Sequence, residues 1–195
     1  MTRVFAGLLF SLVATTANAA LEAGAAAPDF TAQASLAGKE FTYALKDALA
    51  KGPVVVYFYP SAYTGGCNIQ ARAFADHKGE FDAAGASVIG VSLDSIARLN
   101  DFSADPEYCG GKVAVASDTD GSIAKSYGLK VMEGGAGLKD SRGQEIGHGF
   151  AERTTFVVTP DGKVGATIGG MSPAANVDKA LETVKSMAAA KPAGG

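Results

Sequence analysis

The chain has 195 residues, with 17 basic and 20 acidic side chains, a formal charge of −3, two cysteines and two histidines. Mild acidity without clustered Lys and Arg excludes a binder of phosphate backbones, so nucleic acid is not an expected partner. His77 and His148 are too few and too far apart to suggest a zinc or copper centre, and no metal or other cofactor is expected.

At the N-terminus, Arg3, the apolar run Val4–Ala14 and the small residues Ala17-Asn18-Ala19 form the pattern of a cleavable secretory signal. The run falls short of the roughly 18 apolar residues that span a bilayer. Cleavage is expected before Ala20, leaving 195 − 19 = 176 residues, enough for one domain with a sizeable core. Residues 1–19 hold one basic and no acidic side chain, so the mature chain carries 16 − 20 = −4. The expected address is a periplasm or another secretory compartment, with no membrane attachment after processing.

After a Gly/Ala-rich lead-in, Ala27-Pro28-Asp29-Phe30 opens the ordered part. Pro53–Tyr59 is a short β-branched and aromatic run, as in a buried central strand. Residues 66–84 are expected to form one helix, with Ala71, Phe74 and Phe81 on its inner side and Gly85 as its stop. Ala86–Ser92 predicts a second buried strand, and Asp94 a cap for a helix to about Phe102. Val113–Ala116 predicts a third strand, and Ser117-Asp118-Thr119-Asp120-Gly121 supplies caps for a helix reaching Tyr127.

Residues 130–150, rich in glycine, are expected to form a long loop, with His148 a solvated histidine within it. Gly134-Gly135-Ala136-Gly137 lacks the lead-in strand and the spacing of a nucleotide loop. Thr154–Val158 and Val164–Ile168 flank Pro160-Asp161-Gly162-Lys163, a hairpin signal. Val177, Leu181, Val184 and Met187 give the last helix, about 173–190, its inner stripe. This alternation predicts an α/β fold in a single domain over 20–195, a central mixed β-sheet flanked by α-helices.

Two cysteines in an oxidising compartment suggest first a structural disulfide, Cys67 with Cys109, which could stabilise the fold by about 4 kcal/mol. The surroundings of Cys67 point elsewhere. It follows a buried strand and a Thr64-Gly65-Gly66 turn, in the first turn of the next helix, where unpaired N–H groups and the helix dipole favour an anion. A thiolate there is reactive.

Pro60-Ser61-Ala62-Tyr63-Thr64-Gly65-Gly66-Cys67 resembles the PxxxTxxC signature of the peroxiredoxins, of the AhpC/TSA superfamily. Ala27-Pro28-Asp29-Phe30, Ser117-Asp118-Thr119-Asp120-Gly121 and Glu152-Arg153-Thr154-Thr155-Phe156 resemble further family segments, in the family's order, over about residues 22–190. The resemblance implies a thioredoxin-like fold and a thiol-dependent peroxidase acting on hydrogen peroxide and organic hydroperoxides. It implies Cys67 as the nucleophile that becomes a sulfenic acid, Thr64 as a hydroxyl that accepts from or donates to peroxide and sulfur, Arg153 as a donor to both, and Pro60 as a cover for the pocket.

The PrxQ-like (bacterioferritin comigratory) branch often places a resolving cysteine five residues after the nucleophile, and Arg72 stands there. Cys109, beside Gly110-Gly111, fits members that carry it beyond the next helix. A free thiol or a permanent staple remains open for it. The expected partners are a hydroperoxide and an exported thiol reductant, either a thioredoxin-like protein or a small thiol, with the chain a monomer or weak homodimer. Two rivals use the same fold. A thiol-disulfide oxidoreductase needs CxxC, but Gln70 stands at the second position. A Sco-like copper chaperone needs CxxxC, but Ala71 stands there.

Overall fold

The computed structural model describes residues 19–190. The signal sequence lies outside them, apart from Ala19.

Seven strands form one sheet, in the spatial order Lys39–Ala44, Thr31–Leu36, Ala114–Ser117, Ser87–Ser92, Val54–Phe58, Thr154–Val158 and Val164–Gly169. At its centre β3 (Val54–Phe58) pairs in parallel with β4 (Ser87–Ser92), which pairs in parallel with β5 (Ala114–Ser117). Antiparallel β8 (Thr154–Val158) and β9 (Val164–Gly169) extend one side. Antiparallel β1 (Thr31–Leu36) and β2 (Lys39–Ala44) extend the other. The mixed α/β sheet flanked by helices is the architecture expected.

Every residue of β3 is buried, and its alternation divides the core. Val55 and Tyr57 face a layer built from α2 (Gly65–Asp76), α3 (Lys78–Ala83), α4 (Ile96–Ala104) and α6 (Pro173–Ala190). Val54, Val56 and Phe58 face the opposite layer, where α1 (Leu45–Leu49) and α5 (Ser122–Ser126) pack. Cys67 and Cys109 both belong to the first layer.

Several elements differ from the sequence reading. The helix expected over 66–84 is two helices. His77 leaves the α region at ψ 5°, and its carbonyl accepts from both Glu80 N and Phe81 N. Phe74 and Phe81 stay in contact across the break, ring centroids 5.6 Å apart. Ser95, not Asp94, caps α4, accepting from Arg98 N at 3.4 Å. The 130–150 segment contains β6 (Val131–Met132), which pairs with β7 (Phe150–Ala151).

The hairpin of β1 and β2 had no counterpart in the sequence reading. Its two-residue turn, Ala37-Gly38, takes φ of 52° and 77°, the left-handed pair that suits a tight hairpin. The segments around 118–127 and 173–190 do match. Asp118 accepts from Ile123 N and Ala124 N at 3.0 and 2.9 Å, and α6 buries Val177, Leu181 and Val184.

Candidate active site

The parallel strand β3 ends beneath a loop, Tyr59–Thr64, that turns the chain into α2. Tyr63 takes a left-handed φ of 60°, a conformation that strains a non-glycine residue by about 1–2 kcal/mol and persists only when surroundings enforce it. Those surroundings are specific. Its carbonyl accepts from Ser141 N at 2.8 Å, its ring is 2% exposed, and the Arg142 guanidinium lies 3.2 Å from the ring centroid. Thr64 Oγ1 donates back to Ser61 O at 2.8 Å, which closes the turn. Pro60 lies at the start of this loop, partly exposed.

Cys67 is the third residue of α2 and is 2% exposed. Arg153, between β7 and β8, reaches it from across the sheet, Nη2 donating to Cys67 Sγ at 3.2 Å. The other arm of the fork, Nη1, donates to Gln70 Oε1. The pair thus spans a thiol and a fixed amide, a seat that a planar guanidinium fits and an ammonium does not. Gly66 keeps this seat open, because a Cβ there would lie 3.1 Å from Arg153 Nη2 and 3.3 Å from Pro173 Cγ.

Gln70 was read from the sequence only as a missing second cysteine, yet it anchors the site. It is fully buried and donates to Asn176 Oδ1 at 3.0 Å. Asn176 also accepts from Thr155 Oγ1 at 2.6 Å and donates to Ile168 O at 2.9 Å. Arg153 is therefore tied through two buried amides to β8, β9 and α6. The signal was available: Gln70 is a polar side chain three residues after Cys67, on a face otherwise lined by Ala71 and Phe74.

Both cysteines are free thiols and both are buried. Cys109 follows α4 in a series of tight turns, with Gly110 and Gly111 at φ of 58° and 68°. Burial first, and then the charge of Asp105, push the Cys109 thiol far above the ordinary cysteine range, so it is protonated where it sits. Tyr108 beside it stacks on Phe102 at 5.6 Å and meets Tyr63 edge-on at 5.6 Å; Tyr63 meets Phe102 at 5.0 Å. An aromatic cluster thus joins the turn of Cys109 to the loop before Cys67. Tyr57, fully buried, lies within electrostatic reach of both thiols: burial chiefly, then Cys109 and Cys67, raise its phenol well above the ordinary range.

His148 is not the solvated loop histidine expected. Its side chain is 17% exposed, with Nε2 2.8 Å from Asp94 Oδ1 and Nδ1 2.8 Å from Gly149 O. Ser61 Oγ approaches the same Nε2 only at 3.5 Å, while Asp94 already occupies it, so the three do not form a proton relay of the hydrolase kind.

A thiol at a helix N-terminus, a threonine in the turn before it and an arginine on the sulfur, all carried on a thioredoxin-like sheet, define a thiol-dependent peroxidase. The AhpC/TSA family model matches residues 23–167, and the chain belongs to that family. A Mycobacterium tuberculosis protein named as a peroxiredoxin is 34% identical over 140 residues, covering 71% of this chain and 82% of its own.

Among solved structures, peroxidoxin BcpB of M. tuberculosis superposes with a TM-score of 0.70 at 30% identity, over 86% of this chain and 98% of that one. Peroxiredoxin Q of Xanthomonas campestris does so with 0.63 at 30% identity, over 80% and 90%. Of the chloroplastic 2-Cys peroxiredoxins it matches, the chain spans 74% of the length in Hordeum vulgare and 58% in Spinacia oleracea and Arabidopsis thaliana.

Proposed function

We propose that the protein reduces hydroperoxides through Cys67 and resolves the product with Cys109. The observation that carries this reading is the Arg153 guanidinium on the Cys67 sulfur at 3.2 Å, at the N-terminus of α2. The thiolate attacks one peroxide oxygen, the S–O bond forms as the O–O bond breaks, and the departing alkoxide or hydroxide takes up a proton. Arg153 is the donor beside the oxygen where charge gathers, and the Thr64 hydroxyl, whose own proton goes to Ser61 O, offers an acceptor for the peroxide O–H. Cys67 leaves the step as a sulfenic acid. The Cys109 sulfur then attacks it, forming the disulfide and releasing water, and an external dithiol restores both thiols.

The burial of Cys109 fits this sequence of events. A thiol so far above its ordinary range is inert in place, so it becomes a nucleophile only once its turn has loosened toward solvent. The Tyr63–Phe102–Tyr108 cluster joins the two segments, so the rings have to part before the Cys109 turn can move toward Cys67. The permanent staple has no support in two free, buried thiols.

The reading includes export, with cleavage before Ala20, and hence an exported thiol reductant, for a monomer or weak dimer. In its support, the residues after the expected cleavage point are held by the domain, Ala20 packing on its core, Leu21 N donating to Tyr127 O at 3.1 Å and Gly24 N to Val164 O at 2.7 Å. Treating reduced protein with one equivalent of hydrogen peroxide and mapping its peptides without reductant is the test. A Cys67–Cys109 linked peptide is expected only after peroxide. A link already present before peroxide refutes resolution and restores the staple. No link at all makes Cys109 a bystander.

A further inference from the structure

The segment that delivers Cys67 is held by a buried charge cluster that lies outside the reacting atoms. Asp94, at the end of β4, is fully buried. Its Oδ1 accepts from Ser61 Oγ at 2.9 Å, and its Oδ2 accepts from Ala62 N at 2.7 Å and from Ser92 Oγ at 2.7 Å. Arg98, one turn into α4, lies with Nε 2.9 Å from Asp94 Oδ1 and donates from Nη2 to Ala62 O at 3.0 Å and to Asp140 Oδ2 at 2.7 Å. Both polar groups of the Ala62 residue are therefore held by β4 and α4. Thr64 Oγ1 bonds to Ser61 O, so the hold on Ser61 extends to Thr64 and the start of α2.

His148 completes the cluster, and its geometry favours the protonated ring. A backbone carbonyl and a carboxylate can only accept. Nδ1 faces Gly149 O and Nε2 faces Asp94 Oδ1, both at 2.8 Å, an arrangement in which only the imidazolium donates at both nitrogens. A neutral ring of either tautomer must give up one of the two bonds.

We propose that Asp94 and the imidazolium of His148 form a positioning clamp on the Ser61–Thr64 segment, setting where Thr64 and Cys67 stand relative to Arg153, and that loss of the His148 proton loosens it. The clamp rests on the peroxidase reading above. Neither residue touches the sulfur; both act through Ser61 and Ala62.

The electrostatics agree in direction. Burial works against the charged ring, but the Asp94 hydrogen bond, the Gly149 carbonyl and the Asp94 charge more than offset burial and the opposing charge of Arg98, so His148 titrates above its ordinary 6.5. Burial likewise opposes the Asp94 charge, and its bonds to His148, Ala62 and Ser92 override it, leaving the carboxyl below its ordinary 3.8. The stabilisation from His148 is thus complete below about pH 6.5 and is lost as pH rises through its raised value. That from Asp94 is complete above about pH 3.8 and is lost only in acid.

The other charged groups around the ring are Arg98 and Asp101 of α4, Lys125 of α5, and Glu133, Arg142 and Glu145 of its own loop. Asp140, fully buried, is held by Arg98 and Arg142.

The test compares wild type with Asp94→Asn, His148→Phe and His148→Gln in the full chain. Stopped flow with hydrogen peroxide gives the second-order rate constant from pH 5.5 to 9. Iodoacetamide labelling of Cys67, read by peptide mapping, normalises it for reactive thiolate. Misplacement by about an ångström can cost 10²-fold in rate, so Asp94→Asn is expected to lose about that much and His148→Phe about tenfold at pH 6. The normalised wild-type rate should fall as pH rises through the His148 titration. His148→Gln, which keeps one donor for Asp94 without a charge, should be flat there.

A purely structural role predicts lowered melting temperatures with unchanged normalised rates, and that result overturns the clamp. So does a wild-type pH profile retained in His148→Phe. Should Asp94→Asn not fold, Ser61→Ala loosens the same segment at one bond and must show a loss of severalfold. A wild type that consumes no peroxide refutes the underlying reading instead, and the pH dependence of Cys67 labelling in the His148 variants then decides the clamp alone.

Discussion

Replacing Arg153 by Met removes the charged donor on the Cys67 sulfur while keeping a side chain of comparable reach. The Nη2–Sγ separation is 3.2 Å. With an effective dielectric near 20, two unit charges at that distance interact by about 5 kcal/mol. The guanidinium is only partly buried, and water admitted by the substitution restores some of this, so that figure is a ceiling. The loss of one preorganised donor to developing charge is worth about 10²–10³ in rate.

The peroxide step of Arg153→Met is therefore expected to slow by about 10², read as the second-order rate constant of pre-reduced protein in stopped flow. Arg153→Lys separates charge from shape. A single ammonium cannot serve both Sγ and Gln70 Oε1, so it should recover part of the rate, ending about tenfold below wild type. A Met variant within threefold of wild type would place the stabilising charge elsewhere and refute the reasoning.

Gln70→Leu removes the amide that seats Arg153 but leaves Asn176 its bonds to Thr155 and Ile168, so the peroxide step should slow by about tenfold with a stability loss of only about 1–2 kcal/mol in urea unfolding. Gly90→Ala puts a Cβ 2.5 Å from Tyr57 Cζ, deep in the layer that holds both cysteines. Chemical denaturation should show a loss of about 1–3 kcal/mol, and an unchanged midpoint would mean the Tyr57 ring is free to move. Asp118→Ala removes the acceptors of Ile123 N and Ala124 N at the start of α5, leaving Asp120 on Ser122 N, and should cost about 1–2 kcal/mol, with the peroxide rate constant unaltered, since α5 packs on the face away from Cys67.

What the sequence revealed depended on how local the cause was. The central strand, the cap at Asp118 and the stripe of α6 come from periodicity and side-chain chemistry within a few residues, and they could be read directly. The motif from Pro60 to Cys67 is equally local. The hairpin of β1 and β2 stayed hidden because its turn is Ala37-Gly38 rather than an Asn-Gly pair, and because β2 is a largely exposed edge whose alternation amounts to Phe41 and Tyr43 alone.

The rest of the site depends on long-range contacts. Gln70 matters because Asn176 lies 106 positions away, and His148 because Asp94 lies 54 positions before it. A polar residue looks the same in a sequence whether it meets solvent or a buried partner. Asp94 was read as a helix cap for that reason, since Asp before a helix usually is one and Ser95 does the work here.

On the proposed reading, in which Cys109 resolves Cys67, the aromatic contacts of Tyr63, Phe102 and Tyr108 act as a timer. Once peroxide has oxidised Cys67, two processes compete for the sulfenic acid: parting of these three rings, which frees the Cys109 turn, and arrival of a second peroxide, which ends in sulfinic acid. The first rate is a property of the packing and the second scales with peroxide concentration. Their ratio sets the concentration above which the protein stops cycling. On that reading, the cohesion of three rings that take no part in the chemistry sets the dose at which the protein stops cycling.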